Sequence, residues 1–176
     1  TGALLLSAWG GASLLTIAVV APGAFRALPS RALAGAMVGQ VLPAVFIVGL
    51  LIALAVVVLA DDGYCFMVMW EAMALSSYFL VTANHRVPEV RRAGYIYLLM
   101  AQIGAVLILL AFGVLSGFGG DLSFSALRAN ELSPLWSTIA FVLALTGFGM
   151  KAGIVPLHIW LPEAHPVAPS HISALM

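Results

Sequence analysis

Lys151 is the only lysine in the chain, and no other charged residue occurs between Leu135 and Leu157. An amine at bilayer depth costs about 2.5–3.5 kcal/mol on insertion scales, so such a group is retained for a partner or a pathway. One that can lose and regain its proton there is a candidate ion carrier. Glu71 is the second charge of this kind, within Met67-Val-Met-Trp-Glu-Ala-Met-Ala-Leu-Ser-Ser-Tyr-Phe79. Burial disfavours the charged form of either group, so a carboxyl and an amine in one dry bundle can exchange a proton at modest cost. The competing reading is a static ion pair that fixes helix packing, although buried pairs stabilise weakly compared with apolar contacts.

Four more titratable groups follow closely: His158, Glu163, His165 and His171. Imidazole and carboxylate are common metal ligands. Their spacing matches no standard metal motif, however, and the prolines among them prevent a regular i, i+4 helix face, so no metal site is expected. His158 is placed as a proton-conducting or hydrogen-bonding group near the cytoplasmic mouth. Glu163, His165 and His171 are candidates for a relay or for loop structuring. Gln102, the one strongly polar residue of its apolar run, suits hydrogen bonding between helices. Tyr95 and Tyr97 follow an arginine-rich connection and read as interface anchors. Cys65 is the sole cysteine, which excludes an internal disulfide and a cysteine-ligated cluster.

The local sequence around the lysine predicts a break. Gly147, Gly149, Gly153 and Pro156 fall within ten residues, and discontinuous helices at ion sites expose backbone dipoles and admit water. Close helix packing alone would account for Gly149 and Gly153, but not for the lysine between them.

The elements that must position these groups are transmembrane helices. The chain is 63% hydrophobic and 8% charged with no formal net charge, and its mean hydropathy is +1.13. Soluble domains run at about 25% charged, and nothing here suits nucleic acid. An all-α polytopic bundle of about five spans follows, in a single membrane domain over residues 1–176. The spans fall at about 2–21, 32–60, 64–83, 93–116 and 135–161, the fifth broken. Pro22-Gly23 closes the first, Pro43 kinks the second, and 84–92 reads as a solvated loop. A short interfacial helix is expected over 122–128, and Ser133-Pro134 signals a helix start with serine as N-cap. Arginines crowd the first connection (Arg26, Arg31) and the third (Arg86, Arg91, Arg92), whereas the second holds Asp61 and Asp62 and the fourth Arg128 alone. Odd connections are therefore cytoplasmic. At 1.5 Å per residue, Glu71 lies roughly 11 Å and Lys151 roughly 24 Å from the outer surface, about 13 Å apart along the normal. The first apolar run lacks the flanks of a signal peptide, and both ends read as those of a fragment.

Gly147-Phe-Gly-Met-Lys-Ala-Gly-Ile-Val-Pro-Leu-His-Ile-Trp-Leu-Pro-Glu-Ala-His-Pro-Val-Ala-Pro-Ser-His171 resembles the seventh-helix region of the antiporter-like subunits. These occur in respiratory complex I, multisubunit sodium/proton antiporters and membrane-bound nickel–iron hydrogenases. Trp70-Glu-Ala-Met-Ala-Leu-Ser-Ser-Tyr78 is similar to their fifth helix. The Ala-His-Pro-Val-Ala-Pro-Ser-His ending resembles the branch of hydrogenase-4 component B and formate hydrogenlyase subunit 3, where complex I members usually show a Pro-Thr-Pro type sequence. The resemblance covers about residues 45–176; residues 1–40 match poorly.

It implies that the five spans are family helices three to seven, with helix eight beginning. Glu71 is then the fifth-helix glutamate, Lys151 the seventh-helix lysine whose protonation that glutamate tunes, and His158 part of the matching Pro-Leu-His-x-Trp stretch. The implied function is proton (or sodium) translocation coupled to electron transfer in a hydrogenase-4 or formate hydrogenlyase-type complex, in a bacterial or archaeal inner (plasma) membrane. No redox chemistry or cofactor is expected on this chain itself. Nickel–iron and iron–sulfur centres would belong to partner subunits, among them a peripheral hydrogenase arm. Alternatives are a complex I or cation-antiporter subunit, a structural membrane scaffold, or a non-functional gene fragment.

Overall fold

Five helices in the computed structural model, which describes residues 2–168 and Ser173, are long and apolar enough to cross a membrane: Ala8–Ala27, Arg31–Leu59, Gly63–Asn84, Pro88–Leu115 and Pro134–Ala152. In a bilayer every backbone polar group must be satisfied internally, and helices meet that demand segment by segment. The chain is an all-α, multi-pass membrane protein, with no strand among the described residues.

The first span is assembled from α1 (Gly2–Leu15), a π turn at Thr16–Val20 and α2 (Ala21–Ala27). The expected stop at Pro22-Gly23 does not occur. The widened π turn opens just ahead of Pro22, where the ring would otherwise press on the carbonyl four residues back. Helix α3 (Arg31–Leu59) likewise runs through Pro43. Having no N–H, Pro43 supplies no helical donor to the Gly39 carbonyl.

Polar residues at the span ends set where the helices begin. Ser30 accepts from Leu33 N–H at the start of α3, and Asp62 accepts from Cys65 N–H at the start of α4 (Gly63–Val81). A 3-10 turn at Thr82–Asn84 ends that span. Helix α5 (Pro88–Leu115) starts earlier than the loop reading of 84–92 allowed, because Pro88 occupies its first turn with Glu89, a favourable pairing at a helix N-terminus. The interfacial helix is α6 (Phe124–Ala129), capped by Ser123. Helix α7 (Pro134–Ala152) begins on Pro134 as expected. Ser133 nonetheless makes no side-chain cap; its carbonyl accepts from Ser137 instead.

Two contacts support the alternating topology. Gly63 N–H donates to Leu122 O at 2.8 Å and Phe124 N–H to Asp61 O at 3.0 Å, joining the second and fourth connections. On the opposite side, residues of α2, α3 and the third connection share one cleft. At mid-bundle α5 and α7 pack backbone to backbone: a Cβ on Gly147 would meet the Gly104 carbonyl oxygen at 2.8 Å. That close approach brings the side chains of α5 within reach of Lys151.

Candidate functional site

Lys151 lies in the last turn of α7, where unpaired carbonyls give the helix end a partial negative charge that favours a cation. Gly153 ends the helix in the left-handed conformation at φ 71°, and Ile154 N–H returns to Gly149 O at 2.9 Å. This is the glycine-dependent helix stop in which a left-handed residue lets the next amides cap the last turn. The chain then runs through a short irregular segment into α8 (Trp160–Ala164). The break foreseen in the fifth span is therefore present, immediately after the lysine.

Trp160 packs against that break. It is 2% exposed, and its indole N–H donates to Met150 O at 2.6 Å, satisfying one of the carbonyls the helix end leaves free. Tyr97 of α5 is 1% exposed and packs edge-on against Trp160, ring centroids 5.3 Å apart. The Lys151 Nζ donates to Tyr97 Oη at 2.7 Å and stands 4.8 Å from the tyrosine ring centre and 6.0 Å from that of Trp160. The amine lies beyond the tyrosine oxygen, and the Trp160 ring is at the outer limit of cation–π range.

Tyr97 was expected at the membrane interface beside Tyr95. Tyr95 is 65% exposed. A helix turns about 100° per residue, so positions two apart face nearly opposite directions. One of the two had to point inward, and that geometry was the available signal. Trp160 lies within the resembling stretch, but nothing in that stretch pointed to its place beside the lysine.

Glu71, on α4, is held separately. Gln102 of α5 donates its amide to Glu71 Oε2 at 2.8 Å, bridging the two helices. Glu71 Oε1 is buried without a hydrogen-bond partner. Leaving a buried oxygen of this kind without a donor costs about 1–3 kcal/mol or more, and an arriving donor removes that cost. No ion pair joins Glu71 to Lys151 among the described residues. Both are instead tied to α5, through residues five positions or about 7.5 Å apart along its axis.

A hydroxyl suits an amine that changes charge. Tyrosine O–H accepts from an ammonium and donates to a neutral amine, so the bond survives in both protonation states. A carboxylate accepts only, and would favour the ammonium.

The remaining groups divide. His158 lies in the segment between α7 and α8, half-buried, with Nδ1 buried and unpartnered. His165 follows α8, 6.4 Å from Trp160 between ring centroids, with Nδ1 2.7 Å from Ser173 Oγ. Glu163 is exposed on α8, and His171 lies outside the described residues. No three His, Cys, Asp or Glu residues converge as metal ligands among the described residues.

A family model described as "NADH:quinone oxidoreductase/Mrp antiporter, TM" matches residues 60–176, and a domain of unknown function matches residues 4–87. The chain is 46% identical to hydrogenase-4 component B of Escherichia coli (strain K12) over 132 residues, 74% of this chain and 20% of that protein. It is 45% identical over 124 residues to an uncharacterised protein of Mycobacterium tuberculosis, covering 70% and 19% of the two. A Staphylococcus aureus protein named as a candidate antiporter subunit, mnhD2, is 36% identical over 120 residues, 66% of this chain and 24% of that one. The chain thus spans about a fifth to a quarter of the length of these relatives.

Proposed function

This chain belongs to the NADH:quinone oxidoreductase/Mrp antiporter transmembrane family, and we propose that it forms the ion-translocating core of one half-channel in a hydrogenase-4 or formate hydrogenlyase-type membrane complex. Lys151 carries the proton, Glu71 sets the electrostatics from α4, and His158 exchanges protons with the cytoplasmic side. The subunit resides in a bacterial or archaeal inner membrane, and redox centres reside on its partners. Likeness to hydrogenase-4 component B supports this branch. Likeness to the candidate antiporter subunit favours a second reading, a multisubunit cation antiporter with the same lysine station.

One observation carries the proposal: a half-buried lysine amine bonded to a neutral hydroxyl, at a helix break, with no carboxylate paired to it among the described residues. A scaffold that used buried charge to lock helices would pair Lys151 with Glu71. Here, among the described residues, each has a neutral partner instead. In the full-length subunit within its complex, Lys151→Ala is expected to abolish proton pumping into inverted vesicles while the complex assembles and its electron transfer continues. Undiminished pumping contradicts the proposal, and failure to assemble supports the scaffold.

A further inference from the structure

A cleft of about 710 Å³ opens between α3 and the end of α4 that meets the arginine-rich third connection. We propose that it binds a membrane phospholipid with an anionic headgroup, drawn from the cytoplasmic leaflet.

The cleft has the two-part chemistry of such a lipid. Its mouth is lined by His85, Arg86 and Arg91, with no carboxylate among the lining residues. Arg91 spends one guanidinium nitrogen on the carbonyls of His85 and Arg86, which holds the turn in shape. The Arg86 side chain has no such bond among the described residues and is available to a phosphate. Arginine binds phosphate with a planar fork of donors, and basic pockets between cytoplasmic helix ends attract anionic headgroups.

Below the mouth the lining turns apolar, with Leu42, Phe46 and Phe79. Gly35, Gly39 and Pro43, spaced four residues apart on α3, line the same wall. A Cβ added at Gly35 or Gly39 would meet nothing within 4 Å, so these glycines serve no helix contact among the described residues and leave a smooth channel. From Gly35 to Phe46 the wall runs about 17 Å along α3. One leaflet's share of a roughly 30 Å hydrocarbon core is about 15 Å. The match in depth, with positive charge only at the cytoplasmic end, fits an acyl chain lying under an anionic headgroup.

The test uses the full-length subunit in its native complex, extracted with surrounding lipid in polymer nanodiscs. Bound phospholipid is counted by mass spectrometry for the unmodified protein, Arg86→Gln, Gly39→Leu and the control Arg92→Gln, a residue that does not line the cleft. The unmodified protein is expected to be enriched in phosphatidylglycerol or cardiolipin over the bulk membrane. Arg86→Gln should retain roughly fivefold less, the scale of one arginine's attraction to an anionic surface. Gly39→Leu should lose the bound lipid and Arg92→Gln keep it. A photoreactive benzophenone amino acid at position 35 should yield an adduct of lipid mass. Equal lipid in all four proteins, enrichment of zwitterionic lipid indifferent to Arg86, or a peptide adduct showing that a protein segment fills the cleft would each overturn the proposal.

Discussion

The two half-buried charges of this bundle are held by the same helix in different ways. At Lys151, α5 offers Tyr97, a hydroxyl that donates or accepts, enclosed by Trp160 beneath the broken end of α7. At Glu71, α5 offers the Gln102 amide to one carboxylate oxygen and nothing to the other. The tyrosine hydroxyl can bond an amine in either charge state. The glutamate keeps one buried oxygen with room for a further donor. Neither charge is spent on the other, so the protein keeps two separately addressable groups on either side of one helix.

Trp160→Ala should break this comparison most severely. It empties a buried indole site, worth about 3–5 kcal/mol in core truncations, and frees the Met150 carbonyl. Thermal unfolding of the full-length protein in detergent should show a large destabilisation, with pumping lost. Gly147→Ala comes next, since the new methyl would sit 2.7 Å from Ile108 Cγ1 and 2.8 Å from Gly104 O. Overpacking of this kind costs about 1–3 kcal/mol, and by moving α7 off α5 it should impair the lysine station more than the glutamate station.

Tyr97→Phe sharpens the contrast, because it keeps the ring and removes only the hydroxyl. A hydrogen bond to a charged group is worth about 1.5–3 kcal/mol. Pumping should fall well below that of the unmodified protein, with assembly and electron transfer intact. Gln102→Leu should do less, by about 1 kcal/mol in stability, since its bond is exposed on the described chain. A larger pumping defect in Gln102→Leu than in Tyr97→Phe would reverse the proposed ranking of the two stations.

The smallest effect belongs to the fourth connection. The backbone N–H and hydroxyl of Ser123 hold the Asp121 carboxyl below its ordinary value of 3.8. A carboxyl depressed by folding contributes stability that is complete above its unfolded value and lost as pH falls through the folded one. Amide exchange at Ser123 should therefore keep the same protection at pH 7 and pH 5, losing it only as pH falls below 3.8.

Much of this architecture was legible because a bilayer leaves little choice. Apolar length sets the spans, arginine bias their alternation, and Gly153 with Pro156 the break after Lys151. Span limits were less legible where proline acts by context: Pro22 is carried through a π turn and Pro88 starts a helix. The partners of the charges were hidden for another reason. Which α5 side chain meets Lys151 depends on helix rotation, set by the approach of Gly104 to Gly147. Hydropathy carries no trace of that rotation, although the two-residue spacing of Tyr95 and Tyr97 already required one of them to turn inward.

Lys151→Arg tests the central claim most directly. Arginine keeps the positive charge but cannot release a proton in a protein, so it separates a carrier from a structural cation. In full-length complexes matched for assembly and electron-transfer rate, protons moved per electron pair should fall to the background of Lys151→Ala. Pumping by Lys151→Arg at the unmodified ratio would contradict the assignment of Lys151 as the group that carries the proton.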